Sequence, residues 1–466
     1  MAKPEKQKSS GVACLIDGIL AKRVQTLGVS VDITREQVQE LANEGVVEYI
    51  SDSPTIGITI DTNDVGSTDT LALLTDKLLT YTDDDANSPR GGLYRFYIKA
   101  ASSNASYRTI TASDMLNGYC SILATLNEDG TNAKRTMWMN RCAVTGISLS
   151  YDVSGNAAEN YTLAADNKTW FLNQYAGVRC YKPLNVQIGS TANGVQFYGL
   201  ASSIPTNSTV VAVGYNNTIL RNTGISGVTA NSTAYWNVDI LTAVANNTTF
   251  DFSTASGTTD RFWIIYNPAS QVDTWESNAN TASPGWELEA SAGAVGALRR
   301  GNIKAYLWNS NTDTKSTYTA AGKALRLQTV SIDVALGEDQ LFELGTDGFY
   351  AISKQTPVPI TVTITANDSD LEYFAALTST AYGNAAVSSL TISDFNGYNA
   401  LRVEIYKDKA QTILLKTIAI NTMYVQNENF NVSVGDNASN EMTFTADNIS
   451  IVGSGVNITG GANNVV

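Results

Sequence analysis

The stretch RVQTLGVSVDITREQVQELANEGVVEYISDSP, residues 23–54, occurs a second time as RLQTVSIDVALGEDQLFELGTDGFYAISKQTP, residues 326–357. The two stretches align without a gap over 32 columns and match at 9 of them. A second block, residues 136–167, aligns with residues 417–448, again over 32 columns, with 10 matches that end in the shared triplet Ala-Asp-Asn. Two such blocks in the same order indicate that one structural unit occurs twice in the chain.

Both copies of this unit have the alternation of apolar and polar residues that is typical of half-buried strands. Apolar residues occupy every second position at 27–33 and 330–336, at 56–60 and 360–364, and at 147–153 and 430–434. Turn residues such as Gly155 and Asn156 then precede the next alternating run, as a hairpin requires. Residues 67–79 have a capping Ser or Thr and clustered leucines, which predicts a short amphipathic helix, with a shorter equivalent at 369–377.

The two copies are not identical in length. The offset between them falls from 303 in the first block to 281 in the second, so the first copy has 22 additional residues. These residues predict one long loop, 81–111, which contains the turn-rich run YTDDDANSPRGG and the strand-like run LYRFYIK. Residues 169–298 match neither copy, and their short apolar runs between Asn, Thr and Gly clusters predict a third all-β domain, for which an immunoglobulin-like sandwich is one arrangement.

The predicted protein is therefore mainly β and has three parts. We call residues 1–168 repeat 1 and residues 299–466 repeat 2, with the inserted β-rich domain, residues 169–298, between them. Each repeat is expected to be a β-sandwich or barrel with a short helix.

Composition excludes several functional classes. The 466 residues include no histidine, which rules out Ser-His-Asp and Cys-His catalysis and histidine-based zinc sites. The net charge of -14 disfavours tight binding to phosphate backbones. The four cysteines have no metal-type spacing, and no apolar run is long enough for a spanning helix or a secretory signal, so no membrane association is expected. We predict no enzyme activity and no catalytic, cofactor-binding or metal-binding residue.

The repeated blocks resemble the tail tube protein family of long-tailed bacteriophages. The resemblance rests on residues 33–45 (ITREQVQELANEG), residues 54–61 (PTIGITID) and the hairpin that ends in Ala-Asp-Asn, each with its counterpart in repeat 2. It covers about two thirds of the chain and omits the inserted domain. In this family the unit is a small β-sandwich or barrel beside a helix, and six units close into a ring whose inner strands line a channel.

The resemblance implies a structural virion protein, the major tail tube subunit. Two units per chain would make a homo-trimer equivalent to the usual hexamer, and such pseudo-hexameric rings would stack into a helical tube. The implied partners are other tail proteins (tape measure, terminator, baseplate), and phage genomic DNA would pass through the lumen without specific binding. The implied location is the virion tail, with assembly in the host cytoplasm. The alternatives are a baseplate or tail-terminator ring protein and a decoration or adhesin β module.

Two sets of residues are candidates for roles in such an assembly. The expected ring-stacking contact is the long loop of repeat 1, with Asp83, Asp84, Asp85, Arg90, Tyr94 and Arg95. A calcium site at the three aspartates is disfavoured because the ligand spacing of an EF-hand is absent. The candidates for the lumen face are Ser148, Ser150, Asp152, Asn431 and Ser433, whose alternative is an ordinary solvated outer face.

The inserted domain is expected to face outward, because a domain inside the channel would block DNA. It would then occupy the space of a contractile sheath, which favours a non-contractile tail.

Overall fold

The computed structural model describes residues 12–21, 23–39, 45–51, 54–66, 69–75, 108–127, 133–172, 177–181, 185–188, 194–198, 209–215, 218–221, 225–230, 235–240, 262–267, 298–309, 327–342, 349–366, 399–432 and 439–453. Almost all of these residues form strands, so the prediction of a mainly β fold is confirmed.

The first part of the chain contains ten strands and two short helices. They are β1 (Val12–Ile16), β2 (Ile19–Leu20), β3 (Val24–Asp32), β4 (Arg35–Gln39), β5 (Val46–Ser51), β6 (Thr55–Thr62), α1 (Asp69–Leu74), β7 (Arg108–Thr111), α2 (Ala112–Asn117), β8 (Tyr119–Asn127), β9 (Ala133–Asp152) and β10 (Ala158–Leu172). The strands predicted at 27–33, 56–60 and 147–153 and the hairpin after them are confirmed, and α1 lies inside the predicted helix.

The middle of the chain contains eight strands in two four-stranded sheets. They are β11 (Arg179–Tyr181), β12 (Asn185–Ile188), β13 (Gly194–Tyr198), β14 (Thr209–Tyr215), β15 (Thr218–Arg221), β16 (Ile225–Ala230), β17 (Tyr235–Ile240) and β18 (Phe262–Asn267). One sheet has the order β11-β18-β14-β15, and the other has the order β12-β13-β17-β16.

The last part of the chain begins with a 3₁₀ turn at Arg300–Asn302, and nine strands follow. They are β19 (Ile303–Asn309), β20 (Leu327–Ala335), β21 (Glu338–Phe342), β22 (Phe349–Lys354), β23 (Ile360–Ala366), β24 (Asn399–Tyr406), β25 (Leu414–Asn431), β26 (Ser439–Ala446) and β27 (Ser450–Gly453). The strands predicted at 330–336 and 360–364 are confirmed. Of the strand predicted at 430–434, the first two residues lie in β25, which ends at Asn431, and residues 433–434 lie outside the described residues.

The two repeats have the same strand order. Repeat 1 pairs in the order β3-β6-β10-β9-β8-β1, and repeat 2 pairs in the order β20-β23-β26-β25-β24-β19, with every neighbouring pair antiparallel. Strand for strand, the position of β3 in repeat 1 is that of β20 in repeat 2, and the position of β9 is that of β25. Both orders are parts of one 15-stranded sheet.

The correspondence extends to the irregularities of the hydrogen-bond ladder. The β3–β6 pair shifts register between Val24 and Thr26, and the β20–β23 pair shifts between Leu327 and Thr329, which are the same positions 303 residues later. The β9–β10 pair shifts at Thr162/Leu163, and its counterpart β25–β26 shifts between Val425 and Asn427, opposite Phe444 and Thr443. Bulges set the local twist and aim of side chains, so the two units share geometry as well as strand order.

Both repeats contribute to one hydrophobic core. Apolar residues at alternate positions of β6 and β23 are buried in it, because each strand turns one face to the core and the other to the polar side of the sheet. The helix α1 adds Leu71 and Leu74 to the same core. A glycine is required at position 118, since a Cβ there would lie 2.3 Å from Thr75 Cα at the end of this helix. Within the described ranges, each helix has six residues, too few to cross a bilayer.

One of the middle sheets, β11-β18-β14-β15, is attached to repeat 1 by a second core. Trp263 and Ile265 of β18 pack there with Trp138, Leu123 and other residues of β1, β8, β9 and β10. The Trp263 indole N–H donates a 2.7 Å hydrogen bond to the buried carboxylate of Asp17, which also accepts one from the Ser121 backbone N–H at 2.8 Å. This part of the sheet is therefore covered on both faces.

Candidate functional site

The two repeats are joined directly by backbone pairing. The second half of β9 pairs antiparallel with β20 from Gly146↔Ala335 to Asp152↔Thr329, while the first half of β9 pairs with β8. The long strand β9 thus passes from its own repeat into the ladder of the next one. A further crossing pairs β7 of repeat 1 with β27 of repeat 2. We call the β9–β20 contact and its surroundings the closed junction.

Apolar side chains on one face of the closed junction are fully inside the core. Ile332 lies opposite Leu149, and Val330 lies opposite Tyr151, with the four residues at most 4 % exposed. Next to them the backbone N–H of Leu336 donates to the carbonyl oxygen of Thr145 at 2.9 Å. Burial on this scale contributes about 1.5–3 kcal/mol per large side chain, so the junction is part of the fold rather than a surface contact.

The hairpin formed by β21 and β22 supplies a cluster of charged groups to the closed junction. The Lys354 ammonium group donates to the carbonyl oxygen of Leu116 at 2.6 Å, at the end of α2. It also lies 4.6 Å from the ring centroid of Tyr119, and the Arg141 guanidinium lies 4.7 Å from the same centroid. Cations at such distances from an aromatic ring are attracted to its face. The hairpin of repeat 2 is therefore held on side chains of repeat 1.

Arg141 also neutralises a buried carboxylate. Its backbone has φ 46°, a strained left-handed conformation within β9, and its guanidinium donates to Asp166 at 2.9 Å. Burial raises the pKa of Asp166 to about 6, although Arg141 opposes the rise. Burial also raises the pKa of Glu338 in β21, against the opposing effects of Lys354 and Arg141. Two acids and two cations, from both repeats, thus share one partly dry site.

A second charge pair joins the repeats inside the core. The Lys416 ammonium group of β25 donates to the Glu159 carboxylate of β10, and both side chains are at most 1 % exposed. The Tyr161 hydroxyl donates to the same carboxylate at 2.5 Å. A buried ion pair contributes little net stability, but its charges are costly if either one is left alone. The pair is therefore a second contact between the repeats, and one that is costly to break.

The strands equivalent to those of the closed junction end in open edges. On β3, Val31 is 40 % exposed and the adjoining Ile33 is 50 % exposed, whereas their counterparts Val334 and Leu336 in repeat 2 are each 2 % exposed. At the end of β25, Phe430 is 59 % and Val432 is 61 % exposed, whereas their counterparts Leu149 and Tyr151 in repeat 1 are 0 % and 4 % exposed. Within the described residues, β6 is the one strand that pairs with β3. No strand among them pairs with residues 425–431 of β25 on the side opposite β26.

The opposite face of the shared sheet is polar and acidic. It carries the carboxylates Asp32, Asp61, Asp152, Asp333 and Glu441, which lie at positions that alternate with the core residues. Asp61 accepts a hydrogen bond from the Asn160 amide on the neighbouring strand. Five complete strands of this surface, β3, β6, β20, β23 and β26, contain no lysine or arginine, nor do residues 145–152 of β9 or 158–166 of β10. We call this surface the acidic face.

The predicted lumen residues that are described lie on or beside the acidic face. Ser148 pairs with Asp333, Ser150 with Ser331 and Asp152 with Thr329, so the structure brings these three together with β20. Asn431 is exposed at the open edge of β25. Ser433 lies outside the described residues, and so do all six candidates of the stacking loop: Asp83, Asp84, Asp85, Arg90, Tyr94 and Arg95.

Sequence reasoning missed the charged groups of the closed junction. The signal was present in the alignment of the repeats, because Arg35 stands where repeat 2 has Glu338, and Thr422 stands where repeat 1 has Arg141. Such an exchange of charge between equivalent positions marks places where the two repeats have different neighbours. Among the described residues, no group of three or more Cys, Asp or Glu side chains has the arrangement of a metal site.

No protein-family model and no curated protein sequence matches this chain. Solved structures are similar to part of it. Three of them are the tube-terminating cap of the anti-feeding prophage (9% identity, 33% of this chain and 89% of that chain, TM-score 0.22), the sheath–tube complex of the extracellular contractile injection system PVC in its extended state (12%, 33% and 90%, 0.24), and the sheath/tube terminator of the same system in its extended state (13%, 36% and 99%, 0.22). TM-scores of this size do not assign the chain to a family.

Proposed function

We propose that this chain is a structural subunit of a phage-type tail and forms the tail tube. In this proposal three chains close into a ring of six similar units, and the rings stack into a tube through which DNA passes. The proposal includes the three-part division of the chain at residues 168 and 298, with the inserted domain outside the ring. The chain has no enzymatic role in it.

The observation that supports the proposal best is the closed junction and its open counterparts. One chain contains a complete contact between two similar units, in which β20 pairs with β9. The two strands equivalent to these, β3 and the end of β25, have no such neighbouring strand among the described residues. A contact that joins the front of one unit to the back of the next is heterologous, and it yields a closed ring when its rotation divides a full turn. Unpaired strand edges with apolar side chains otherwise favour aggregation, so a partner is expected for them.

The acidic face supports the second part of the proposal. A sheet surface with five carboxylates and no basic residue on its central strands repels phosphate groups. If this face lines the channel, DNA slides along it without binding, because phosphate affinity depends on Lys and Arg contacts. Ser148, Ser150 and Asp152 would then face the lumen, as would Asn431 and Ser433 of repeat 2.

Mass measurement and negative-stain microscopy of the purified full chain test the proposal. We expect trimers at low concentration and rings or tubes with an open channel at high concentration. The symmetry should be threefold and only approximately sixfold, because the repeats differ. A protein that remains a monodisperse monomer, with or without the other tail proteins, would contradict the proposal, and rings that never stack would indicate a terminator or baseplate ring instead.

A loop-deletion variant in the same experiment tests the stacking part. The long loop of repeat 1 has no counterpart of equal length in repeat 2, so it would occur three times per ring. Deletion of residues 83–92 should abolish tubes and leave soluble trimers. Unchanged tube formation would exclude this loop as the contact between rings.

A further inference from the structure

Equivalence between the repeats gives the open edges a definite register. In the closed junction, β20 meets β9 with Ile332 opposite Leu149. The counterpart of Ile332 is Val29, 303 positions earlier, and the counterpart of Leu149 is Phe430, 281 positions later. Because the ladder bulges of the two repeats coincide, these offsets hold in the structure as well as in the alignment.

We infer that β3 of one chain pairs antiparallel with the end of β25 of a second copy, with Val29 opposite Phe430. The same register places Leu27 opposite Val432 and Gly28 opposite Asn431. It also places the backbone N–H of Ile33 at the carbonyl of Gln426, as Leu336 is placed at Thr145 in the closed junction. This inference rests on the proposed function, because it specifies the contact that would close the ring. We call this contact the open junction.

The exposure of the apolar side chains at both edges supports a second copy of the chain as the partner. Val31, Ile33, Phe430 and Val432 are each at least 40 % exposed, although they occupy positions that are buried in the closed junction. Since side chains alternate across a strand, this register turns all four to the core side, whereas a shift by one residue would turn one strand's set to the acidic face. A second copy supplies both halves of this contact from the same sequence.

Charges at the hairpin positions change in a complementary way. In the closed junction the hairpin carries Glu338, and the receiving face carries Arg141 with Asp166. In the open junction the hairpin position is Arg35 on β4, and the receiving positions are Thr422 and Asp447. Asp447 therefore lacks the cation that Asp166 has in its own repeat, and Arg35 of the second copy would supply it. Within the described residues, neither Arg35 nor Asp447 has an ion-pair partner.

The residues equivalent to the buried Lys416–Glu159 pair also differ between the repeats. The counterpart of Lys416 is Arg135, which is exposed on repeat 1, and the counterpart of Glu159 is Asn440. The Asn440 amide donates a 3.2 Å hydrogen bond to Glu428, so an acid remains beside this position. Glu428 also occupies a position that is apolar in repeat 1, where Ile147 stands. The open junction is thus more polar than the closed one, as is typical of contacts between separately folded chains.

These differences in charge also disfavour contacts between two copies of the same repeat. A repeat 2 hairpin on a second repeat 2 face would bring Glu338 to Asp447, and a repeat 1 hairpin on a repeat 1 face would bring Arg35 to Arg141. In the first combination Glu338 meets Asp447 without Arg141. In the second, Arg35 meets Arg141, which Asp166 already neutralises, so neither combination has the charge pairing of the closed or the open junction. Repeats 1 and 2 are therefore expected to alternate around the ring.

Cysteine cross-linking of the full chain tests the register. The double variant Val29→Cys/Phe430→Cys should form disulfides between chains under mild oxidation, with covalent trimers as the largest species. The matched control is Ser30→Cys/Phe430→Cys, in which the two sulfurs would lie on opposite faces of the sheet and should not join. The native cysteines are all buried and are the same in both variants, so they do not account for a difference between them. Equal cross-linking of the two variants, or cross-linking of the control alone, would overturn the inference.

A charge exchange tests the pairing of Arg35 with Asp447. Arg35→Glu should raise the concentration needed for assembly by about tenfold or more, because it places two carboxylates together. The double variant Arg35→Glu/Asp447→Arg should restore assembly to within about threefold of the native chain. Both residues are exposed in the single chain, so folding, followed by circular dichroism and the Tm, should be unchanged. Absence of rescue in a folded double variant would count against this contact.

The two proposals fail in different ways. Interchain disulfides at Val29/Phe430 in a protein that never forms tubes would support the open junction and contradict the tail-tube function. Tubes formed by a chain that gives no Val29/Phe430 cross-link would support the function and contradict this register.

Discussion

The closed junction and the open edges are built from the same positions of one duplicated unit, yet they have opposite environments. Ile332 and Leu149 are sealed in the core between the repeats, whereas Phe430 is exposed and Val29 is only partly covered. In the proposed ring, the apolar residues at these positions form the contact between neighbouring units. Where the neighbouring unit is in the same chain they stabilise the fold, and where it is not they remain available for a partner.

The largest expected effect comes from the same substitution made at two equivalent positions, one in the closed junction and one at the open edge. Ile332→Asp would bury a carboxylate in the core and should lower the free energy of unfolding by about 5 kcal/mol. Val29→Asp places the same group on a partly solvated edge and should cost about 1 kcal/mol while it abolishes ring assembly. Chemical denaturation of both variants measures the difference. Similar losses would mean that the β3 edge is as much a part of the monomer's core as β20.

The next effect concerns the buried ion pair between the repeats. Lys416→Met should lower the free energy of unfolding by about 3 kcal/mol, because it leaves the Glu159 carboxylate buried without its cation. The equivalent substitution Arg135→Met, on an exposed side chain, should change stability by less than about 1 kcal/mol.

A double variant sharpens this comparison. Lys416→Met leaves the Glu159 carboxylate buried without a cation, and Glu159→Gln removes that charge. The double variant should therefore recover a large part of the lost free energy of unfolding. Denaturant titrations of the two single variants and the double variant form a cycle that isolates the coupling. A coupling close to zero would contradict a direct role for this pair in joining the repeats.

The smallest of the three effects is a pH dependence at the charged cluster of the closed junction. The pKa of Asp166 rises from 3.8 to about 6 in the folded chain, where Arg141, Glu338, Lys354 and Tyr119 surround it. The native state then binds more protons than the unfolded state between these pH values, so this carboxyl's contribution is fully present below about pH 4 and is lost as pH rises through about 6. The change is at most about 3 kcal/mol.

The variant Asp166→Asn should flatten this part of the stability profile, measured by denaturation at a series of pH values from 4 to 7. Asp447→Asn, which makes the same change at the exposed equivalent position, is the matched control. A native profile that keeps its slope in Asp166→Asn would assign the pH dependence to another group.

Much of the fold could be predicted from the sequence, because a strand with one buried face has alternating apolar and polar residues. The runs around Val29, Ile58 and Leu149 and their counterparts in repeat 2 gave the strands, and the two ungapped blocks gave the duplication. The alternation also placed Ser148, Ser150 and Asp152 on the polar side. These features depend on residues that are near one another in the chain.

The charged groups that join the repeats could not be predicted in this way. Lys416 and Glu159 are 257 positions apart, and Lys354 reaches Leu116 across 238 positions. Neither contact has a local pattern, since an isolated Lys or Glu in a strand is equally compatible with a solvated edge. The partners become apparent only when the ladder brings β25 against β10 and the hairpin against α2.

The sequence by itself determined that the chain is mainly β, that its unit is duplicated, and which face of each strand is apolar. The tertiary structure alone decided that the two units share one sheet through β9 and β20, and that no further strand of the described residues covers the outer edge of β3 or of the end of β25. The physical reason is that alternation specifies which side of a strand is buried but not which strand lies beside it. The neighbour is selected by packing, charge and backbone pairing between residues hundreds of positions apart.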